Sequence, residues 1–316
     1  MVLPVSATDL LLAKDLRRSG LSDRALQREA DAGRLIRIRR GAYCPAERWQ
    51  ALDDRQRHLL RMRAVAEASG REVVFCGLSA AAAWNLPLVE RFPGDVEVVG
   101  FPSSGGGRSQ GDVRRRPLQT TGLRVNERDG LLVTGVASTA VQLALQLGFA
   151  DAVGVLDRAL WGRNPDRIEF EELVLELERI GPRYRRSAAL AAILFAVGAS
   201  DSLGESIARA RLHELGYPPP VLQAPLADER GLIGRVDFYW PDHGIIGEFD
   251  GAVKYQRTEM LGGRSPAETV WREKQREDRL RRRCAGLFRA VWADLMDPPR
   301  FDAIVRSSGL RPSARV

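Results

Sequence analysis

The 316-residue sequence has little with which to build a disulfide framework or a soft-metal centre. Its three cysteines, Cys44, Cys76 and Cys284, are odd in number, scattered and without Cys-x-x-Cys spacing. Histidine is as sparse: His58, His213 and His243 lie far apart, which argues against a histidine-rich metal site and against a Ser-His-Asp triad. Long apolar runs are missing too. The most apolar stretch, residues 188–197, falls well short of the roughly 20 residues that span a bilayer, and residues 1–19 lack a signal-peptide pattern. These absences lead to the expectation of a reducing, cytoplasmic and nucleoid-associated setting with no membrane partner.

What is present describes a folded, basic chain. A hydrophobic fraction of 44% with 28% charged residues supports buried cores and excludes long disorder. The length suits two or three domains. A net charge of +7 points toward a polyanion, because clustered Lys and Arg release counterions when they neutralise a phosphate backbone. Solubility alone is the plainer reading of the same charge.

The first 43 residues carry a succession of signals. Thr8 or Ser6 is placed to cap a helix running to Ser19 and stopped by Gly20; Ser22 is placed to cap a second, running to Ala32 and stopped by Gly33. Residues 35–43 then alternate apolar and basic side chains up to a glycine, as in a half-buried hairpin. Helix, turn, helix, hairpin is the order of a winged helix-turn-helix. On the second helix Ala25, Leu26 and Ala30 face inward, leaving Arg24, Gln27, Arg28 and Asp31 outward; the hairpin adds Arg37, Arg39 and Arg40. Arginine grips phosphate or reads guanine edges bidentately, so Arg24, Gln27, Arg28, Arg37, Arg39 and Arg40 are the candidate DNA contacts. A merely solvated charged face is the alternative.

Residues 71–200 read as a mixed α/β middle region, with strands at 73–76 and 95–101, a small-residue helix from Ser79 to Trp84, and helices at 138–147, 152–161, 169–179 and 187–197. The Gly/Ser-rich stretch 103–108 lacks the strand-GxxxxGKS-helix context of a phosphate cradle. No reaction centre stands out in this region.

The region from 201 onward is the most informative. Ser202 is placed to cap a helix with Glu205 in its first turn, ended by Gly216 and a triple proline. A strand at 234–240 and its hairpin partner at 245–251 then bring three carboxylates together: period-2 geometry puts Glu248 and Asp250 on one face, and the hairpin brings Asp237 beside them. Acids so crowded repel unless a cation joins them. Mg²⁺ or Mn²⁺, with a preference for oxygen ligands, suits Asp237, Glu248 and Asp250, and Lys254 adds positive charge just beyond. Such a metal activates water and stabilises charge on a scissile phosphate. A solvated acidic hairpin is the alternative.

At these residues the chain resembles the very-short-patch-repair-like branch of PD-(D/E)XK endonucleases: a helix Glu, a Val-Asp-Phe strand, Glu-x-Asp-Gly, the charged helix 272–280 and a closing strand 288–292. The resemblance covers roughly 201–295 and implies a restriction-endonuclease-like α/β domain. It also implies metal binding through Glu205, Asp237, Glu248 and Asp250. Asp250 stands where the family usually has lysine, and Tyr255 lies near the place of a frequent histidine. Residues 6–43 resemble the DNA-binding domain of AbiEi-type antitoxins in Gly-Leu-Ser, Gly33-Arg34-Leu35 and Arg40-Gly41-Ala42-Tyr43, and 77–88 continue the likeness. That family implies transcriptional autoregulation at operator repeats; a cognate toxin and a homodimer are candidate protein partners. The expected architecture is a multidomain α/β protein: a winged helix-turn-helix over 1–70, a mixed middle domain over 71–200 and a nuclease-like domain over 201–316. Its expected role is DNA binding, with a metal-dependent deoxyribonuclease or, alternatively, a non-catalytic autoregulator whose nuclease-like fold only binds or assembles.

Overall fold

The structure, a computed structural model, describes residues 9–70, 72–100, 111–251 and 266–313. It is an α/β protein whose chain divides into two compact units. One combines Met1–Leu147 with Asn164–Leu194, and the other Gly148–Arg163 with Phe195–Val316.

The first unit begins with the helix-turn-helix and hairpin. Ser22 caps the helix Asp23–Asp31, its hydroxyl accepting from the Ala25 amide at 3.2 Å. The strands Leu35–Arg39 and Ala42–Pro45 pair antiparallel around Gly41, whose φ of +78° lies in the region where glycine is favoured. The preceding helix is shorter than the sequence suggests. It spans Ala13–Arg18 with no side-chain cap, because Leu11 and Leu12 are taken up as a strand against Tyr43 and Ala42. Ser6 and Thr8, the expected caps, lie outside the described residues. Ala13, Leu26 and Tyr43 form the small core, with Leu11, Leu16, Ala30 and Leu35 around them. The helix Asp54–Ser69 follows, opened by a reciprocal cap between Asp53 and Gln56.

A five-stranded mixed sheet completes this unit, in the order Val113–Pro117, Val96–Gly100, Val74–Phe75, Leu131–Thr134, Val125–Arg128. Two of these strands and the helices Val136–Ala144, Phe170–Ile180 and Arg186–Phe195 follow the sequence pattern. The other three strands do not announce themselves, since Val113–Pro117 is mostly arginine and Val125–Arg128 lies on an edge. The stretch 103–108 lies outside the described residues.

A buried polar network pins the sheet. Glu97, 1% exposed, accepts from the Leu78 amide at 2.8 Å and pairs with Arg116. A Cβ on Gly77 would stand 2.1 Å from the Glu97 carboxylate, so that position requires glycine. His58 bonds through Nδ1 to the Pro93 carbonyl and through Nε2 to the Ser79 hydroxyl, at 3.0 and 2.9 Å. Burial pushes His58 down to about 4, leaving it neutral. The carbonyl then fixes the proton on Nδ1, and the Ser79 hydroxyl donates to Nε2 while accepting from the Glu97 amide. This Ser-His pair is wholly inside the protein and serves packing.

The second unit holds the helices Phe149–Leu160 and Leu203–Glu214 and a four-stranded sheet ordered Gly286–Ala290, Ile245–Phe249, Gly231–Trp240, Val221–Asp228. The last three run antiparallel, whereas Ile245–Phe249 and Gly286–Ala290 run parallel, which requires the crossover helix Pro266–Arg283. Element order is therefore helix, three antiparallel strands, helix, parallel strand. Val221–Asp228 escapes the sequence pattern; it carries Pro225, which an edge strand tolerates because no ladder partner needs its missing amide. The aromatic series Phe238, Trp240, Phe288 and Phe301 packs in contact within this unit. Ala224, Val236, Ile246 and Leu280 make a separate core cluster.

Candidate functional site

Two groups of side chains carry chemistry, one in each unit. In the first unit the helix Asp23–Asp31 buries Leu26 and exposes Arg24, Gln27 and Arg28. Gln27 donates to Asp31 at 2.7 Å. Arg37 and Arg40 are exposed on the wing, and Arg24, Arg28, Arg37 and Arg40 form no ion pair among the described residues. Arg39 differs. The hairpin register shifts between Arg37 and Arg39, and the Arg39 guanidinium, half-buried, sits 3.4 Å from the Asp112 carboxylate. The sequence pattern placed all three arginines on one surface, and the bulge separates one of them.

In the second unit Gln223 joins two of the four carboxylates, Glu205 and Asp237, while arginines hold Glu248. Glu205, 4% exposed, stands in the first turn of its helix: its Oε1 accepts from the Ser202 hydroxyl at 2.8 Å and its Oε2 from the Asp201 amide at 2.9 Å. The amide of Gln223 donates to Glu205 Oε2 at 2.7 Å and reaches Asp237 Oδ1 at 3.4 Å, while Asp237 Oδ2 accepts from the Phe249 amide at 2.8 Å. Glu248, in a fully buried strand, is held by Arg276 at 2.7 Å and Arg289 at 3.0 Å. Asp250 follows the end of that strand, half-buried, its amide donating to Ala290 at 2.8 Å. Lys254 and Tyr255 lie outside the described residues.

Glu205 and Asp237 are thus adjacent, whereas Glu248 is neutralised by two guanidiniums. Among the described residues no group of three or more His, Cys, Asp or Glu is disposed to hold a metal ion. The all-oxygen pair Glu205 and Asp237 suits a hard cation that keeps several of its waters, and Mg²⁺ is commonly held by one or two carboxylates. Gln223 has no mark in the sequence, and Arg276 and Arg289 stand there only as members of the charged helix and the closing strand, because each reaches its partner across strands or from a distant helix. The one local hint is the φ of +50° at Gln223, a left-handed conformation inside a strand, and it is visible only in three dimensions.

Burial pushes the Glu205 carboxyl up to about 7, the Asp237 charge adds to this, and the bonds from Ser202 and Asp201 oppose it. An acid whose folded value is raised stabilises the fold below its ordinary value and loses that contribution as pH climbs through the folded value. For Glu205 the window is 4.5 to about 7. Glu205→Gln, neutral throughout, is expected to equal wild type near pH 4 and exceed it at pH 8 by up to about 3 kcal/mol. Urea titrations at both values measure it, and equal stabilities at pH 8 would refute the assignment.

Residues 9–46 match the model of a family described as "Transcriptional regulator, AbiEi antitoxin". Two uncharacterized proteins of Mycobacterium tuberculosis, Rv2248 and MT2308, are each 38% identical over 146 residues, covering 44% of this chain and 52% of theirs. The match therefore spans about half the length of these relatives. A crystal structure of the RV2827C protein from Mycobacterium tuberculosis has a TM-score of 0.36 and 19% identity, covering 63% of this chain and 74% of that one. No helix among the described residues is long and apolar enough to cross a membrane.

Proposed function

We propose that this chain is a DNA-binding regulator of the antitoxin type, reading duplex DNA with the helix Asp23–Asp31 and the wing. The observation that carries this reading is the set of solvent-facing arginines on both elements, Arg24, Arg28, Arg37 and Arg40, without an ion-pair partner among the described residues. Unpaired guanidiniums bind phosphate or guanine without first breaking an internal bond. The match of residues 9–46 to a regulator family supports the same role. A homodimer would present two such helices to a repeated operator, and a cognate toxin and a cytoplasmic, nucleoid-associated setting belong to this reading. The test is fluorescence anisotropy on a duplex from upstream of the chain's own coding sequence and on a scrambled duplex, at two salt concentrations. Salt-dependent binding that prefers the upstream duplex is expected, and no binding at low salt would dismiss the proposal.

A second reading is favoured by the second unit. Its order of helix, three antiparallel strands, helix and parallel strand, with Glu205 on the first helix and Asp237 on the second strand, supports a PD-(D/E)XK-like nuclease domain. Mg²⁺ or Mn²⁺ would be held by Glu205 and Asp237, joined by Asp250 and by Glu248 if its arginines release it; Lys254 would add positive charge. The bound ion would supply Lewis acidity toward a phosphodiester and lower the pKa of a coordinated water. Gln223 tethers Glu205 and orients Asp237, and Arg276 and Arg289 hold Glu248 in place. Incubation with supercoiled plasmid and Mg²⁺ or Mn²⁺, beside EDTA, Asp237→Ala and Glu248→Ala, decides it. Nicking that needs the metal and Asp237 is expected of an enzyme; its absence leaves the non-catalytic regulator.

A further inference from the structure

A cleft of about 500 Å³ opens in the first unit beside the proposed reading elements. The helix Ala13–Arg18 forms one wall with Lys14 and Arg17, the wing forms another with Arg37 and Arg40, and Gln27 of the helix Asp23–Asp31 reaches the rim. The helix Asp54–Ser69 lines the remaining side with Ala64, Glu67 and Ala68. Nothing lies within 4 Å of where a Cβ on Gly41 would be, which leaves the lip by the wing turn open.

The charges of this cleft do not balance. Lys14 is paired with Glu67 at 2.9 Å and Arg17 with Asp23 at 3.0 Å, so these four cancel. Arg37 and Arg40 remain, with no ion pair among the described residues. The two pairs are themselves about half exposed or more, and exposed pairs contribute at most about 1 kcal/mol, so an incoming anion re-partners Lys14 and Arg17 at little cost. A concave wall strengthens such contacts over a flat face by removing part of the surrounding water. Guanidinium forks match the tetrahedral oxygens of a phosphate group, which sets the ligand class.

We propose that this cleft is a phosphate seat, in which Arg37 and Arg40 take one phosphate group and Lys14 and Arg17 turn to it from their acidic partners. The proposal rests on the DNA-binding reading for its macromolecular source, a backbone phosphate of the duplex, and it divides the labour there. The cleft anchors the backbone, and Arg24 and Arg28, outside it, are left to meet base edges. A free phosphate has the same chemistry and competes for the seat.

The test uses the full chain, the Arg37→Gln/Arg40→Gln variant and Lys14→Gln. Both arginines are exposed, so folding of the double variant is expected and is checked by circular dichroism. In the duplex arm, log affinity is followed against log salt. A backbone seat predicts that the double variant loses about one unit of slope and weakens specific and scrambled duplexes alike, roughly tenfold, with Lys14→Gln intermediate. In the second arm inorganic phosphate is titrated onto the DNA-free protein against chloride of equal ionic strength. A rise in melting temperature that the double variant lacks identifies free phosphate as an occupant. If that rise is seen while wild type binds no duplex, the seat stands and the DNA reading falls. An unchanged slope together with phosphate acting no better than chloride overturns the proposal.

Discussion

Arg209→Met is expected to destabilise the second unit by roughly 3 to 5 kcal/mol, the range for removing one partner of a buried ion pair. Asp157 is 2% exposed and Arg209 6%. One guanidinium nitrogen donates to both Asp157 oxygens at 2.9 Å, another donates to the Phe195 carbonyl at 2.9 Å, and the guanidinium carbon lies 4.2 Å from the centre of the Phe195 ring. The Val197 amide also donates to Asp157, at 2.7 Å. Burial pushes the Asp157 carboxyl above its ordinary value even with Arg209 opposing. Without the guanidinium it rises further, so the variant's deficit is smaller at low pH and grows as pH climbs. The double variant Asp157→Asn/Arg209→Met removes both charges and is expected to recover much of the loss. Urea unfolding at pH 4 and pH 7.5 reads all of this. A loss under 1 kcal/mol at pH 7.5 would show that the pair is hydrated in solution.

Arg24→Ala/Arg28→Ala is expected to abolish sequence preference while leaving the fold intact. Each bidentate contact to a guanine edge discriminates by roughly 1 to 3 kcal/mol, so the pair together carries about 2 to 6 kcal/mol of specific affinity. Both side chains are exposed and neither forms an ion pair among the described residues, so truncation leaves no buried group unsatisfied. Competition binding with upstream and scrambled duplexes separates the outcomes. A fall confined to the upstream duplex assigns the two arginines to base edges, and an equal fall on both assigns them to the backbone. No fall on either moves recognition away from this helix.

These expectations differ in where their support was visible. Arg24 and Arg28 could be placed on an exposed face from the sequence because Ser22 caps the helix and Leu26 anchors it, and both facts are local. Arg39 could not be separated from Arg37 and Arg40, since its partner Asp112 is remote in the chain and a register shift intervenes. Glu248 and Asp237 looked equivalent on a shared hairpin. Arg276 and Arg289, 28 and 41 residues beyond Glu248, hold that carboxylate, and Gln223, 14 residues before Asp237, joins the other to Glu205.

The sequence alone therefore determined what short-range physics controls. It placed the cap at Ser22, the wing turn at Gly41, the helices Val136–Ala144, Phe149–Leu160, Phe170–Ile180, Arg186–Phe195 and Leu203–Glu214, and the strand pair carrying Asp237 and Glu248. Tertiary structure decided what depends on partners distant along the chain: the strand at Leu11–Leu12, the edge strand with Pro225, the raised pKa of Glu205 and the hydrogen-bond partners of Asp237 and Glu248. Backbone periodicity and capping are written within a few neighbouring residues. Pairing across a sheet and the electrostatics of a buried acid depend on which remote groups the fold brings within about 4 Å.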